Sequence, residues 1–364
     1  MQDTRSPDLD GIRAEEPAGR RFGSISGDVS GEGRYALRFL ILIILFVLVF
    51  FGSFVLGRYS VSVSELFRIL SKGPFLHSGD IQDAVVWNIR MPRILCAMLV
   101  GAALSTAGAS YQGMFRNPMV SPDLLGASTG AGFGAAMAIL LSLGYVGIMV
   151  CAFSFGLLAV FLAYMVSRMS RLESTLSMVL SGVMISSLFS ACTSFVKLVA
   201  DTEDQLPAIT YWLMGSLTSV KNVDAIFAFV PIIIGLIPIL LLRWRINLLT
   251  VSEAEAKAMG LNTEQLRLIV IICATLITSA SVAVSGMIGW VGLVIPHFCR
   301  LIYGYDYRRL VPASILMGAT FLMIVDDVSR CITTSEIPLG ILTSFIGAPV
   351  FIYLILTGGE DRGR

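Results

Sequence analysis

Five charged residues lie at the ends of long apolar stretches of the sequence, where charge is costly. Arg90 and Arg93 open one stretch, and Asp326, Asp327 and Arg330 lie near the end of another. A charge at the bilayer centre costs about 2.5–3.5 kcal/mol on insertion scales, so we expect these residues at the outer rims of spans, where long side chains reach water. Asp326 precedes Arg330 by four residues, the favourable order for an ion pair on one helix face, and is expected to hold Arg330 in position. For Asp327 we expect a solvated outer mouth, with a proton or metal site as the alternative.

The residues that usually perform catalysis or bind metals are scarce. The chain has two histidines, His77 and His297, far apart in sequence, and six cysteines in apolar runs without a CxxC pair. This pattern favours neither a zinc site nor a disulfide framework, and we predict no metal site and no catalytic residue. We expect the ring of His297 to satisfy carbonyls that Pro296 leaves free, with a ligand or proton relay as the alternative. The formal charge of +1 gives no reason to expect nucleic acid binding.

One apolar stretch, residues 175–199, is unusually rich in hydroxyl groups. Ser187, Ser190 and Ser194 are candidates for lining a transport pathway. Serine can also bond back to the preceding helical turn, so ordinary helix packing is an equal alternative. At 100° per residue the hydroxyls of this stretch do not form a single polar stripe.

A polar segment, residues 243–267, separates two long apolar runs. Its sequence EAEAKAMG predicts a short helix that ends at Gly260, because glycine permits the left-handed turn found after many helices. The small residues Ala254, Ala256 and Ala258 would allow this helix to dock closely against a partner. An ordinary solvated loop is the alternative.

The elements that position these residues are hydrophobic helices. The chain is 55% hydrophobic and only 14% charged, with a mean hydropathy of +0.81, whereas soluble domains average about 25% charged residues. This composition predicts an all-α polytopic membrane protein. Ten apolar segments approach the ~20 residues that a bilayer requires. They are residues 36–56, 92–114, 124–143, 145–166, 175–199, 226–242, 268–284, 287–303, 310–331 and 339–356.

The segments outside the spans set the expected orientation. Residues 1–35 are polar and lack apolar periodicity, which predicts a disordered cytoplasmic tail, and residues 359–364 form a second cytoplasmic tail. Ten spans place both termini on one side, and most lysines and arginines then fall inside, as the positive-inside rule requires. Between spans, SVSELFRIL predicts a surface helix and YWLMGSL a short interfacial helix.

Three long motifs carry a family resemblance. They are NIRMPRILCAMLVGAALSTAGASYQGMFRNPMVSPDLLGASTGAG, GMIGWVGLVIPHFCRLIYGYDYRRLVPASILMGA and DDVSRCITTSEIPLGILTSFIGAPVFIYLI. In this order and spacing, from about residue 60 to residue 358, the chain resembles the FecCD family, the ABC importer permeases for iron-siderophores, haem and vitamin B12. The resemblance implies the type II ABC importer permease fold in the cytoplasmic (inner) membrane, a homodimer, two cytoplasmic ATPase subunits and an external substrate-binding protein.

The resemblance also assigns roles to residues. It implies that Arg90, Arg93 and Arg330 form salt bridges with glutamates of the binding protein, while Asp327 replaces the family's usual apolar residue. It implies that the loop at about residues 244–266 grips the ATPase. The gripping residues are then Glu253, Ala254, Ala258, Gly260 and Leu261.

The expected function is transport without covalent chemistry in this chain. The sequence contains no G-x-x-x-x-G-K-[ST] motif, so ATP and Mg²⁺ are expected on the partner ATPase and no cofactor on this chain. The resemblance implies alternating access for a ferric siderophore, haem or corrinoid, and less so for a molybdate-type oxyanion. Two other classes remain open: an ion-coupled secondary transporter that uses Asp326 and Asp327, and an intramembrane enzyme that uses His297.

Overall fold

The computed structural model describes residues 26–57, 59, 61–73, 80–171, 174–251, 253–260, 262–333 and 335–357. The chain divides into an N-terminal unit, Met1–Leu37, and a main unit, Arg38–Arg364. The described part of the first unit is the beginning of helix α1. The described α-helices are α1 (Ser26–Val55), α2 (Val63–Lys72), α3 (Ile81–Ala84), α4 (Met91–Met114), α5 (Ala127–Leu140), α6 (Gly144–Met169), α7 (Ser174–Val199), α8 (Gln205–Leu213), α9 (Asn222–Thr250), α10 (Glu253–Ala258), α11 (Thr263–Ser285), α12 (Val291–Tyr303), α13 (Tyr307–Ile332) and α14 (Leu339–Thr357).

Ten of these helical stretches are strongly apolar and follow the ten predicted spans in order. Among the described residues, seven stretches are long and apolar enough to cross a membrane: α1, continuous α3–α4, α6, α7, α9, α11 and α13. The shorter apolar helices are α5, α12 and α14. The all-α polytopic class is therefore confirmed, with three helices shorter than a full span.

Helices α4 and α11 form the centre of the bundle. In their most apolar windows 89% and 78% of residues are buried, against 17% for α1. Glycines bring α4 into backbone contact with its neighbours: a Cβ at Gly108 would lie 1.8 Å from the carbonyl oxygen of Gly292 on α12, and one at Gly101 2.2 Å from that of Gly318 on α13. Small residues allow two helix backbones to approach this closely. In a membrane the hydrophobic effect does not drive helices together, so such close packing is what holds them.

Two helices extend beyond their predicted limits. Upstream of α4, a π-helical segment, Val85–Arg90, joins α3 to α4 without a break. Pro92 lacks an N–H and would crowd the carbonyl four residues earlier, and the wider π turn accommodates it. Helix α9 continues to Thr250, so residues 244–250 of the predicted loop are helical.

The N-terminal part of α1 and the short helix α8 differ from their predictions, whereas α2 agrees. Residues 1–25 and 358–364 lie outside the described residues. Residues 26–35 were predicted to be disordered but are helical, because extending an existing helix is much easier than starting one. Helix α2 matches the predicted surface helix and is capped by Ser62. Helix α8 was predicted too late at residues 211–217: it ends at Leu213, before Gly215, whose φ is +73°.

Candidate functional site

The charged residues singled out in the sequence meet in one buried cluster at the beginning of α4. Arg93 forms a salt bridge with Asp326 of α13. Its Nε donates to both carboxylate oxygens at 2.9 Å, and its Nη2 donates to Oδ1 at 2.7 Å. Its Nη1 donates to Glu336 Oε2 at 2.8 Å. Glu336, whose side chain is 18% exposed, also accepts a hydrogen bond from Thr218. Arg93 is thus held by two carboxylates from opposite sides.

Arg330 is held by the other side of the same cluster. It lies 3.7 Å from Asp326 Oδ2 and forms a closer ion pair with Asp327. Its Nη2 also donates to the backbone carbonyl of Ser53 on α1, at 2.9 Å. The hydroxyl of Ser53 donates to Asp327 Oδ2 at 2.7 Å, so this serine connects α1 to both members of the pair.

Arg90 is bound differently from the other two arginines. Its guanidinium donates to the backbone carbonyls of Phe54 and Tyr59. Phe54 lies in the last turn of α1, and Tyr59 follows the end of that helix. No carboxylate lies within ion-pair distance of Arg90 among the residues that the structure describes. The π-helical turn ends at this residue and directs it toward α1.

Contrary to the expectation from the sequence, these charged side chains do not reach water but are buried within the protein. Arg90, Arg93 and Arg330 are only 3%, 6% and 6% exposed, and Asp327 is 7% exposed rather than lying in a solvated mouth. Arg93, Arg330 and Asp327 are compensated by hydrogen-bonded counter-charges, and Arg90 by backbone carbonyl acceptors, so none of them needs to reach water. The predicted Asp326–Arg330 contact is confirmed, although Arg93 is the closer partner of Asp326.

The short helix of the polar segment lies at the opposite end of the bundle. Arg93 is near the beginning of α4, which is about 36 Å long at ~1.5 Å per residue. Just past the other end of α4, Arg116 donates through Nε to the carbonyl of Leu249 at 3.0 Å, near the end of α9 and close in sequence to α10. The charge cluster and α10 are therefore separated by the length of α4.

Helix α10 has the predicted shape but turns one alanine inward. It covers residues Glu253–Ala258, and Gly260, with φ +78°, makes the predicted left-handed turn after it. Ala256 is buried, whereas Ala258 and Gly260 are exposed. Leu261 lies outside the described residues, and the side chains of Glu253 and Ala254 are likewise not described. Of the residues predicted to grip a partner, Ala258 and Gly260 are the ones seen at the surface.

Hydrogen bonds connect the end of α9, which precedes α10, to the beginning of α13. Asn247, on the last turns of α9, donates to Asp306 at 2.7 Å and accepts from the backbone N–H of Tyr307 at 2.8 Å. Asp306 caps the beginning of α13 by accepting from the N–H of Arg308. Since α13 carries Asp326 and Arg330, one helix connects this end of the bundle to the charge cluster.

The three candidate serines of α7, Ser187, Ser190 and Ser194, are exposed. Ser187 donates to the carbonyl of Val183 at 2.9 Å and Ser194 to that of Ser190 at 3.0 Å, the back-bonding that the sequence left as an alternative. Ser187 and Ser190 also line a groove of about 460 Å³. The complete lining is Ser121, Asp123, Leu124, Val183, Ser186, Ser187 and Ser190. Ser194 lies outside this lining, while Asp123, which the sequence analysis missed, lies within it.

His297 does not have the contacts expected from the sequence. It lies half-buried on α12, and its ring donates to no backbone carbonyl among the described residues. The polar contacts near Pro296 belong instead to Arg300, whose Nη1 donates to Gln112 on α4 at 2.6 Å. The amide of Gln112 in turn donates to the carbonyl of Val120 at 3.1 Å. These contacts fix the turn that follows α4.

Comparison with known proteins gives one consistent result. The model of the FecCD transport family matches residues 43–357. The molybdate import system permease protein MolB of Haemophilus influenzae is 40% identical over 311 residues, covering 84% of this chain and 92% of that protein. A probable iron chelatin transport system permease of Helicobacter pylori is 41% identical over 303 residues (82% and 92%), and the hemin transport system permease HmuU of Yersinia pestis is 34% identical over 341 residues (91% and 99%).

One solved structure matches the fold of this chain over nearly the whole length of the solved protein. It is described as an inward-facing metal-chelate type ABC transporter, and it superposes with a TM-score of 0.79 at 38% sequence identity, covering 87% of this chain and 98% of that one. The type II ABC importer permease fold expected from the motifs is confirmed by this match.

Proposed function

The chain belongs to the FecCD transport family of ABC importer permeases, and from this we propose that it forms a homodimeric path for a metal chelate across the cytoplasmic membrane. Two ATPase subunits drive this path from the cytoplasm, and an external binding protein supplies the solute. The observation that carries the proposal is the separation of two surfaces: an ordered arginine cluster at one end of α4 and the exposed part of α10 at the other.

The α10 end is proposed as the coupling surface. Ala258 and Gly260 are exposed there and small, so a partner can approach the backbone of this segment closely. A movement of α10 is transmitted through α9, because Asn247 bonds both Asp306 and the N–H of Tyr307 at the beginning of α13. The contacts support a mechanism in which ATP-driven motion at α10 reorients the helices in alternating access.

The cluster end is proposed as the docking surface for the binding protein. Its arginines are buried and already paired, so acidic groups of a partner must compete with the chain's own carboxylates. Glu336 is the accessible one of these, at 18% side-chain exposure. We therefore expect Glu336→Gln to release Arg93 and tighten docking by up to about tenfold, and Arg93→Gln to weaken it by a similar factor.

The measurement is the affinity of the binding protein for the permease–ATPase complex in nanodiscs. Assembly of the ATPase with each variant is the control, since it takes place at the far end of α4. If Glu336→Gln weakened docking as much as Arg93→Gln, competition for Arg93 would be wrong.

The proposed substrate is a ferric siderophore, haem or a corrinoid. Relatives named for iron chelatin and hemin transport and the match to a metal-chelate type transporter support this class. A relative at 40% identity is named for molybdate, so an oxyanion is the alternative. Uptake of a ferric hydroxamate, haemin, cyanocobalamin and molybdate in parallel separates these substrates.

Reconstitution tests the function as a whole. Proteoliposomes that contain permease and ATPase, with the binding protein outside, are expected to take up one of these solutes only when ATP is inside. Uptake by the permease alone along an ion gradient would overturn the proposal in favour of a secondary transporter. The geometry disfavours that alternative, because Asp326 and Asp327 are both engaged by arginines and neither is available to bind a coupling ion.

A further inference from the structure

We propose that the groove between α7 and the turn before α5 is a negatively charged binding site on the solute path, set by Asp123. It takes neutral or positively charged metal chelates and rejects oxyanions. Its place on the path depends on the proposed function, whereas its charge does not.

The groove lies at the middle of a membrane-spanning helix. Gly126, beside Asp123, approaches Ser186 so closely that a Cβ on the glycine would lie 2.9 Å from the serine Oγ. Ser186 follows the beginning of α7 by about 18 Å, at ~1.5 Å per residue in a helix of about 39 Å. Leu124 likewise packs its carbonyl against Gly182, one turn earlier. The turn that carries Asp123 therefore packs against the middle of the α7 span.

Helix α5 begins at this depth instead of at the membrane surface. Gly126, with φ +86°, makes the left-handed turn from which the helix starts, and the 14 residues of α5 reach the level of α8, where Ala136 packs with Val196 and Ile209. Half-spanning helices of this kind place a free helix terminus at the midplane, and transporters use such termini to bind solutes. An exposed helix N-terminus on its own would attract an anion.

Asp123 reverses that preference. Its Oδ1 accepts a hydrogen bond from Ser128, in the first turn of α5, so the carboxylate sits at the positive end of the helix. The helix terminus is equivalent to about +0.5 charge and an ionised carboxylate contributes −1, so the two together leave roughly −0.5 when Asp123 is ionised. No salt bridge joins Asp123 to another described residue, so this balance is not altered by a direct counter-ion.

The rest of the groove suits a large polar solute. Ser121, Ser186, Ser187 and Ser190 present hydroxyls, and about 460 Å³ of space lies between them. Hydroxyl groups bond donors and acceptors alike, so they tolerate varied ligands, whereas the carboxylate distinguishes solutes by charge. Asp123 is thus the specificity-determining residue of this groove.

The test measures the local charge with thiol reagents of opposite sign. Ser190→Cys is placed in a chain whose six native cysteines are replaced by alanine, and the permease–ATPase complex is reconstituted in nanodiscs. The probes are the trimethylammonium-ethyl and sulfonato-ethyl methanethiosulfonates, each normalised to its rate with free cysteine. We expect the cationic reagent to be favoured by about tenfold or more, and Asp123→Asn, which retains the bond to Ser128, to abolish that preference.

Two controls keep the result specific. Ser194→Cys lies one turn farther along α7, outside the groove, and its charge preference should change much less with Asp123→Asn. Ser187→Cys provides a second reporter inside the groove if Ser190→Cys does not assemble. Absence of labelling by both reagents at both positions, or a charge preference indifferent to Asp123→Asn, would overturn the proposal. ATP-driven uptake in the same preparation tests the importer function separately, so the two can fail independently.

Discussion

Neutralising Asp326 should destabilise the protein more than any other single carboxylate change in the cluster. Asp326→Asn retains the shape of the side chain but removes its charge. The three Arg93 contacts of 2.7–2.9 Å then lose their charge assistance, and the amide NH₂ opposes a guanidinium donor where a carboxylate oxygen accepted before. The cluster, which balances three arginines with Asp326, Asp327 and Glu336, is left with one excess positive charge.

The magnitude follows from burial. Removing one partner of a buried ion pair costs about 3–5 kcal/mol, and the side chains of Arg93 and Asp326 are 7% and 2% exposed. Because Arg93 retains Glu336 at 2.8 Å, we expect the lower end of that range. For a chain of this size it lowers the unfolding midpoint by roughly 5 °C or more. Glu336→Gln should have a smaller effect, since Glu336 can be hydrated.

Thermal unfolding in detergent, followed by tryptophan fluorescence, measures these shifts. The matched control is the exposed pair Arg168–Glu264, 3.4 Å apart with side chains 58% and 66% exposed, where Glu264→Gln should leave the midpoint unchanged. Replacing the buried pair together, as Arg93→Met with Asp326→Leu, should recover most of the loss because no unpaired charge remains. If Asp326→Asn shifted the midpoint no more than Glu264→Gln, or if the double variant were no better than the single one, compensation within the cluster would be refuted.

Two further predictions concern packing and coupling. Gly108→Ala should destabilise the bundle by about 1–3 kcal/mol or more, because the added Cβ would lie 1.8 Å from the backbone of Gly292. Gly52→Ala should be tolerated, because no atom lies within 4 Å of its Cβ position. Equal unfolding midpoints for the two variants would contradict this prediction. Ala258→Trp on α10 should weaken assembly of the permease with the ATPase by about tenfold, since the ring prevents close docking, while Ala208→Trp, exposed at the other end of the bundle, should leave assembly unchanged; similar affinities for both variants would remove α10 from the coupling surface.

The charge cluster illustrates how far the residues predicted their own roles. The five charges were recognisable because charge inside or beside an apolar run is rare. Their partners were not recognisable, because Arg93 and Asp326 are 233 residues apart, and only the packing of α13 against α4 joins them. Without a known partner, the reasonable expectation was that each arginine reaches water, and this expectation was wrong.

Asp123 was overlooked for a related reason. In the sequence it lies in a short turn before an apolar helix, where a carboxylate is an ordinary capping residue. Its position at the middle of α7 follows from the inward path of the turn, which depends on the contacts of Gly126 with Ser186 and of Leu124 with Gly182. The apolar segment 124–143 is long enough for a full span, and only the structure shows that α5 itself has 14 residues, too few to cross a bilayer from one surface.

The amino-acid sequence by itself determined the membrane class, the order of ten apolar helices, the left-handed turn at Gly260 and the family. These features depend on local composition, on spacing along one chain or on motifs that can be read directly. The tertiary structure alone decided that the arginines are buried and paired, that a π-helical turn directs Arg90 toward α1, and that a half-spanning helix brings Asp123 to the middle of the bundle. Each of these depends on contacts between distant segments, whose free energy exists only once the helices pack.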